Sequence, residues 1–590
     1  MSVVSMLKVT LYGLTREKLA VLDSLQSLGC LHILPAGATK ASGELAPAPE
    51  ARRALKFLLE SPVRRDQSHD SGRFDAVAVQ RRVPEIESRM QALRDEQDFL
   101  RKRVRDLSPW GDFRLPDADN HPELRLWFYI VPHYLMPRVA DRRLTWMQVH
   151  RDNRFCYVVV VARDEPSGMP VARTHTGSRP LSELTARLEA VQVELDELQA
   201  ERESLTRWCD LLALNLHYLE DRSALLHAAG QTFDDEPLFV LTGWAPQQAQ
   251  PALETLARQH ALALVLEPPA LHEEPPTLLR NPAVLAGGQD LVRFYLTPGY
   301  RVWDPSVLVY LSFVWFFALI LSDAGYAAVL AALLALFWPS LSRTQERRRI
   351  RNLAVVATAA SLVWGVAVGS YFGVAPSAET WLGSVRAIDA TRTENMMALA
   401  VCIGIVHLVL ANLGAAWSQR ATLQAWVPLG WVAMLLAGSA LWVGVARDVS
   451  WLHALAAALG GAGVAAVLIC SSSHRNPLHR LLDGLLGLTR ISAAFGDVLS
   501  YLRLFALGFA SASLAGAFNH LADLAGGLVP ALGALLAVLI LLIGHGLNFV
   551  LGVAGAVVHG LRLNYVEFFN WGQFREGYPF RPFARGESGA

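Results

Sequence analysis

The chain has few cysteines: Cys30, Cys156, Cys209, Cys402 and Cys470 in 590 residues, with no CxxC pair among them. That spacing excludes a disulfide framework and a Cys-based zinc site, and it fits a reducing compartment. No metal and no other cofactor is expected. A GxxxxGK[ST] phosphate loop is missing throughout, so nucleotide hydrolysis by this chain is not expected. Residues 1–11 lack a basic stretch running into a long apolar one, so no signal peptide is expected, and the first half should stay on the side where it is made. Lysine is absent after Lys102 while arginine is abundant, which reads as genome composition. Formal charge is also missing, since 53 basic residues balance 53 acidic ones, and nothing in that balance suggests nucleic-acid binding.

The charges are nevertheless unevenly placed. Residues 1–301 hold 76 Asp, Glu, Lys and Arg, whereas residues 302–590 hold 30. A chain of this length needs more than one core, and the shift splits it into a soluble part (1–301) and a membrane-embedded part (302–570), with a tail (571–590).

In the soluble part a strand is predicted at 5–11, a helix at 15–28 and a second strand at 31–34. Residues 36–75, rich in Ala, Pro, Ser and Gly, read partly as connector. From Pro84, suited to a first helical turn, apolar residues recur at Ile86, Met90, Leu93, Leu100, Val104 and Leu107, interrupted by Gln97. After Pro180 a second stripe holds Leu181, Leu184, Leu188, Val191, Leu195, Leu198, Leu205 and Leu212, interrupted by Arg202. Both are heptad stripes on charged helices. They predict an antiparallel rod (about 77–107 and 180–229) joining a distal lobe (108–178, strands at 126–131 and 155–161) to a proximal one (1–75 and 230–290). Residues 237–266 would complete the lobe begun at residue 5.

The membrane part holds eight apolar segments: 306–321, 324–339, 353–374, 395–416, 424–445, 451–471, 488–522 and 530–568. Three basic loops fall on the side of the amino terminus: Arg343 to Arg351, Arg420, and Arg475 with Arg480 and Arg490. This places both termini in the cytoplasm, although Arg386 and Arg392 lie on the other side. The expected class is therefore a mostly α membrane protein with N-terminal α/β lobes, a helical coiled coil and an eight-helix transmembrane domain. About 39 helical residues in each of the last two segments span nearly 60 Å against a hydrocarbon core of about 30 Å, so both helices must tilt or project.

The seventh segment carries Arg503 among lipid-compatible residues. Arginine cannot shed its proton, and its charge at membrane depth costs about 3 kcal/mol or more. On a wheel of about 100° per residue, Arg503, Ala506, Ala510, Ser513 and Ala517 share an arc of about 80°. A small-residue ladder of this kind admits a closely packed partner helix. In the last segment His545, Asn548, Gly552, Gly555, His559 and Arg562 fall on one arc of roughly 100°, a polar stripe along an apolar helix. It either lines a water-filled path or faces polar groups on another helix. A fixed cation lowers the pKa of a carboxylate brought near it and so promotes proton release. No group in this chain reads as the moving carboxylate, which points to a partner subunit.

The segments Phe495-Gly-Asp-Val-Leu-Ser-Tyr-Leu-Arg-Leu-Phe-Ala-Leu-Gly508, Gly544-His-Gly-Leu-Asn548, Val558-His-Gly-Leu-Arg-Leu-Asn-Tyr-Val-Glu-Phe-Phe569 and Tyr578-Pro-Phe-Arg-Pro-Phe583 resemble subunit I (subunit a) of V/A-type rotary ATPases. Asp323-Ala-Gly-Tyr326, Gly365 to Gly373, Gly404-Ile-Val-His407 and Leu241-Thr-Gly-Trp-Ala-Pro246 add to the likeness. The resemblance implies a non-catalytic stator subunit in a bacterial plasma membrane. Arg503 and Arg562 would face a ring of proteolipid c subunits. Two offset half-channels would bring ions to the ring. The amino-terminal lobes would bind peripheral stalks of the E/G type and also the central-stalk adaptor subunit. Half-channel candidates are Asp497, Ser500, His545, Asn548, His559, Glu567 and His407. Eukaryotic members carry a carboxylate ten residues before the second arginine, where this chain has Gly552. A stand-alone secondary transporter and a membrane-anchored scaffold are the alternatives. The first lacks a repeated half, and the second leaves both arginines idle.

Overall fold

The computed structural model describes residues 3–35, 49–115, 125–377, 379–387, 393–472, 477–527 and 532–586; Arg392 and Arg475 of the basic loops lie outside them. The chain forms two compact units. Its strands are β1 (Met6–Leu14), β2 (His32–Leu34), β3 (Arg125–Pro132), β4 (Thr145–Arg151), β5 (Phe155–Ala162), β6 (Phe233–Asp235), β7 (Leu238–Pro246) and β8 (Ala263–Glu267).

One unit comprises Leu14–Gly29, Pro35–Phe239 and Phe583–Ala590. Its longest helices, Ala76–Leu107 and Leu181–Leu205, bury Ile86, Met90, Leu93, Leu100 and Leu107 against Leu184, Val191 and Leu195. Arg82 bonds Glu201, Arg89 bonds Glu194 and Arg187 bonds Glu96. As numbers rise on one helix they fall on the other, so the pair is antiparallel. Both polar interruptions are buried and bonded: Gln97 donates to Gln192, and Arg202 donates to the Phe57 carbonyl at 2.7 Å with its guanidinium 4.0 Å from the Phe57 ring. The first helix does not begin at Pro84. Asp75 caps it by accepting from the backbone N–H groups of Val77 and Ala78, and Pro84 lies inside. The two-bond cap and the buried Val79 and Val83 outweigh the backbone bond that proline forgoes. The expected connector contains a helix, Pro49–Leu59, which buries Ala51, Ala54 and Leu58 at helical spacing. β4 was not anticipated. It is an edge strand of the antiparallel sheet β3-β5-β4, mostly exposed, so it lacks the apolar alternation that marks a strand.

The other unit comprises Met1–Gly13, Cys30–Leu34 and Val240–Pro582. Its sheet runs β2-β7-β1-β8, with Lys8 opposite Glu267 and Tyr12 opposite Ala263 along the β1–β8 pair. The Tyr578 segment docks beside that sheet: Thr277 N–H donates to the Tyr578 carbonyl, Phe580 N–H to the Thr277 carbonyl, and Arg581 N–H to His32 Nδ1. Among the described residues six helices are long and apolar enough to cross a membrane: Gln345–Val368, Thr393–Ser418, Leu423–Arg447, Ser450–Cys470, Leu478–Gly526 and Leu532–Gly572. Two shorter apolar helices, Ser306–Leu321 and Ala324–Leu336, hold 16 and 13 residues.

Asp323 sits between those two short helices and explains two of the sequence motifs. Its carboxylate accepts from Tyr326 N–H and Phe372 N–H through Oδ1, and from the Ser370 hydroxyl and Gly373 N–H through Oδ2. The buried acid is thereby fully bonded, as burial demands. Gly365 is required by contact, because a Cβ there would lie 2.3 Å from the Ala324 nitrogen.

Candidate functional site

The Arg503 segment is not one uninterrupted helix. Ile491–Ser500 and Leu502–Gly526 meet at Tyr501, which is fully buried. Leu504, Gly508, Ser511 and Ala515 form the covered face of the second helix, and a Cβ at Gly508 would lie 3.0 Å from the Leu319 carbonyl oxygen. Ala506, Ala510, Ser513 and Ala517 are all exposed, so the small-residue stripe is left uncovered among the described residues. Arg503 is half-buried beside that stripe. Its Nη1 is enclosed and has no hydrogen-bond partner, and no ion pair reaches Arg503 among the described residues.

The final helix, Leu532–Arg562, passes into a π turn at Leu563–Phe568 and closes with Phe569–Gly572. Its polar stripe divides into two groups with different bonding. In the first, Asn548 donates to the Tyr326 hydroxyl at 2.9 Å and to the Ser511 carbonyl at 2.8 Å, and its Oδ1 accepts from the Ser511 hydroxyl at 3.2 Å. The Tyr326 hydroxyl lies 2.8 Å from His545 Nδ1, and His545 Nε2 lies 3.0 Å from Asn519 Oδ1. Asn519 Nδ2 then donates to the Phe372 carbonyl. Donors and acceptors alternate without conflict when the His545 proton sits on Nε2. His545 and Asn548 thus bond across helices. Gly552 adjoins this group, with Leu321 and Ser511 the nearest neighbours of a Cβ there.

The second group is incompletely bonded. His559 Nδ1 and Glu567 Oε2 are enclosed without partners, as is Arg503 Nη1. Arg503 and Arg562 are within electrostatic reach of each other, of His559 and of Glu567. Arg562 itself is exposed and makes no ion pair among the described residues. The π turn is anchored on three sides: Asn564 accepts from the Ser312 hydroxyl at 2.6 Å, the Tyr565 hydroxyl donates to the Leu291 carbonyl at 2.6 Å, and Phe568 stacks on His407. Single π turns often mark functional positions.

Of the other candidates, Asp497 accepts from Trp571 Nε1 at 2.7 Å, and the Ser500 hydroxyl donates back to the Gly496 carbonyl at 3.1 Å. His407 is buried, with Nδ1 2.7 Å from the Tyr501 hydroxyl and Nε2 without a partner. Tyr501, Tyr326, Ser511, Asn519 and Trp571 join these groups without any signal of a site role in the sequence. Tyr326 and Tyr501 lie within the motifs Asp323–Tyr326 and Phe495–Gly508, but nothing local reveals what their hydroxyls meet. No group of three His, Cys, Asp or Glu side chains among the described residues is arranged to hold a metal ion. What the second group offers is two permanent cations, one enclosed acid and a bare small-residue face. A mobile carboxylate approaching that face would find its ionised form stabilised.

No protein-family model matches the chain. It is 26% identical over 457 residues to an A-type ATP synthase subunit I of Methanocaldococcus jannaschii, in a match covering 69% of this chain and 64% of that one. Over 620 residues it is 23% identical to a V-type ATP synthase subunit I of Borreliella burgdorferi, with 99% of each covered. Over 642 residues it is 27% identical to V-type ATP synthase subunit I 1 of Treponema pallidum, covering 98% of this chain and 99% of the other. This chain therefore spans 64% of the length of the Methanocaldococcus jannaschii relative and nearly all of the Borreliella burgdorferi and Treponema pallidum ones. A crystal structure of the cytoplasmic N-terminal domain of subunit I, a homolog of subunit a, of V-ATPase is 21% identical, with 44% of this chain and 99% of that one covered, at a TM-score of 0.24.

Proposed function

We propose, from the premise that this chain is a relative of subunit I of the V/A-type ATP synthases, that it is the membrane stator subunit of a proton-translocating rotary ATPase. Arg503 and Arg562 face a ring of proteolipid c subunits. Each ring carboxylate gives up its proton as it nears these cations and takes up another on the far side, which couples rotation to ion flux. Asp497, Ser500, His559, Glu567 and His407 are the candidates for the two half-channels, while His545 and Asn548, spent on bonds across helices, fix the helices that line them. The charged amino-terminal helix pair and its lobes hold the subunit still by binding peripheral stalks, and the central-stalk adaptor is a further partner. The eight apolar helices lie in a bacterial plasma membrane with both termini cytoplasmic, and nucleotide chemistry belongs to other subunits.

The observation that carries this reading is the enclosed, unpartnered Nη1 of Arg503 beside an uncovered stripe of small residues. A structural arginine in a membrane pairs with a neighbour, because an unmet charge there is expensive. One kept unmet is being held for something that arrives from outside the chain. In the assembled complex, Arg503→Ala is expected to abolish ATP-driven proton pumping while the subunits still co-purify. Sustained pumping by that variant would refute the role.

A further inference from the structure

We propose that Tyr501 and His407 form a clamp that fixes the spacing between Arg503 and Arg562, which makes them positioning residues and takes His407 out of the set of ion carriers. This rests on the reading that the two arginines serve ion translocation.

Four contacts argue for the clamp. First, the helix is interrupted at Tyr501, two residues before Arg503, where Tyr501 N–H bonds the Val498 carbonyl and Leu504 N–H bonds the Tyr501 carbonyl in a tightened turn. The side chain at this break is fully buried, and its hydroxyl is held by His407 Nδ1 at 2.7 Å. Second, Gly404, one turn before His407 on the helix Thr393–Ser418, lies against the same ring. A Cβ there would come within 2.6 Å of Tyr501 Cγ and Cδ2, so the two helices touch at backbone distance. Third, the His407 ring lies nearly parallel to Phe568, with centroids 4.6 Å apart and planes 14° apart. Phe568 is the last residue of the π turn that begins directly after Arg562. Fourth, Phe316 sets its ring at 88° to His407 and at 73° to Tyr501, which closes the cage.

His407 therefore touches both arginine-bearing segments, through an oriented hydrogen bond on one side and a stacked ring on the other. The physical need is direct. The two guanidiniums repel each other, and Glu567, within electrostatic reach of both, forms no ion pair with either among the described residues, so no direct contact between the charges fixes their separation. A tie placed two residues from one arginine and six from the other supplies it. Geometry at a reacting centre is unforgiving: a displacement of about 1 Å can cost roughly 100-fold in rate.

The test uses the whole ATPase complex reconstituted in liposomes, with protons pumped per ATP hydrolysed as the readout. A merely structural defect lowers the amount of complex and leaves that ratio alone. Tyr501→Phe keeps the buried ring and removes only the hydroxyl; His407→Phe keeps an aromatic ring for Phe568 and removes both ring nitrogens, the hydrogen-bonded Nδ1 among them. Each is expected to lower the ratio by about threefold to tenfold, the factor a single hydrogen bond carries. The double variant should be no worse than the poorer single one, since both remove the same bond. Spin labels at the exposed Phe509 and Val558 should report a broader distance distribution in either variant. An unchanged ratio in Tyr501→Phe overturns the clamp. A lowered ratio with an unchanged label distribution also overturns it, and returns His407 to the ion path. A double variant far below both singles overturns the shared bond. If Arg503→Ala is inactive while Tyr501→Phe is fully coupled, the clamp alone fails; if Arg503→Ala still pumps, the underlying reading fails.

Discussion

Along the charged helix pair, Arg82, Arg89 and Arg187 each meet a glutamate at 2.7, 2.7 and 2.8 Å, respectively, across to the other helix. Along the last two membrane helices, Arg503 and Arg562 meet no carboxylate within ion-pair distance among the described residues. The same side chain is paired where pairing is cheap and unpaired where it is dear. Exposed ion pairs contribute little, about 0–1 kcal/mol each, so the helix pair owes its stability to its apolar seam and uses the charges to fix register. In the membrane helices an unmet arginine costs several times as much. Packing alone would have removed it, so its retention argues for function.

Giving Arg503 a partner of its own breaks the contrast most severely. Ala506→Glu places a carboxylate one helical turn away, on the exposed face. Coupled pumping is expected to fall by about 100-fold, the scale of a desolvated ion pair worth roughly 3 kcal/mol, while the melting temperature of the complex holds or rises. Full pumping with Glu at 506 would show that Arg503 need not be free. A smaller effect sharpens the division within the final helix. Asn548→Leu strips the Tyr326 and Ser511 hydroxyls of a partner, and is expected to destabilise the complex by about 1–2 kcal/mol in thermal dissociation, with protons per ATP unchanged. A fall in that ratio at unchanged stability would move Asn548 from helix bonding to ion passage.

The smallest effect concerns pH and the helix pair. Hydrogen bonds from Arg187, Arg89 and Arg82 hold the carboxyls of Glu96, Glu194 and Glu201, respectively, below the ordinary glutamate range. A lowered folded-state pKa contributes stability that is complete above the unfolded value of about 4.3 and is lost as pH falls through the folded one. Hydrogen exchange of residues 82–96 and 187–201 in the full chain should therefore be slower at pH 7 than in a Glu96→Gln, Glu194→Gln, Glu201→Gln variant, and that difference should shrink as pH falls below about 4.3. Equal exchange in the two proteins at pH 7 would leave the pairs without stabilising effect.

Much of this was legible in the residues. The seams at Ile86–Leu107 and Leu184–Leu195, and the apolar runs after residue 302, follow from periodicity and composition, which are local quantities. So does the bare face of the Arg503 helix, since Ala506, Ala510, Ser513 and Ala517 are all too small to fill space themselves. The first long helix starts at Ala76, beside the expected rod start at about 77, but Pro84 lies inside it rather than at its first turn, because a proline at a plausible first turn is hard to tell from one inside a helix whose true cap, Asp75, lies nine residues earlier. β4 stayed hidden because an exposed edge strand has no buried face to announce it.

The polar stripe of the final helix marks the boundary most clearly. Spacing alone places His545, Asn548, His559 and Arg562 on one side of a helix, because side-chain direction follows the turn angle. It could not foresee that the first two would be consumed by Tyr326 and Ser511, 219 and 37 positions away, and the last two left incompletely met. Which residues carry charge, which faces are apolar and which helices are long enough to cross a bilayer are properties of neighbours in the chain, and the sequence by itself determined them. Which polar atom is bonded, which is left open and how far apart two cations are held depend on contacts between distant segments, and only the tertiary structure decided those.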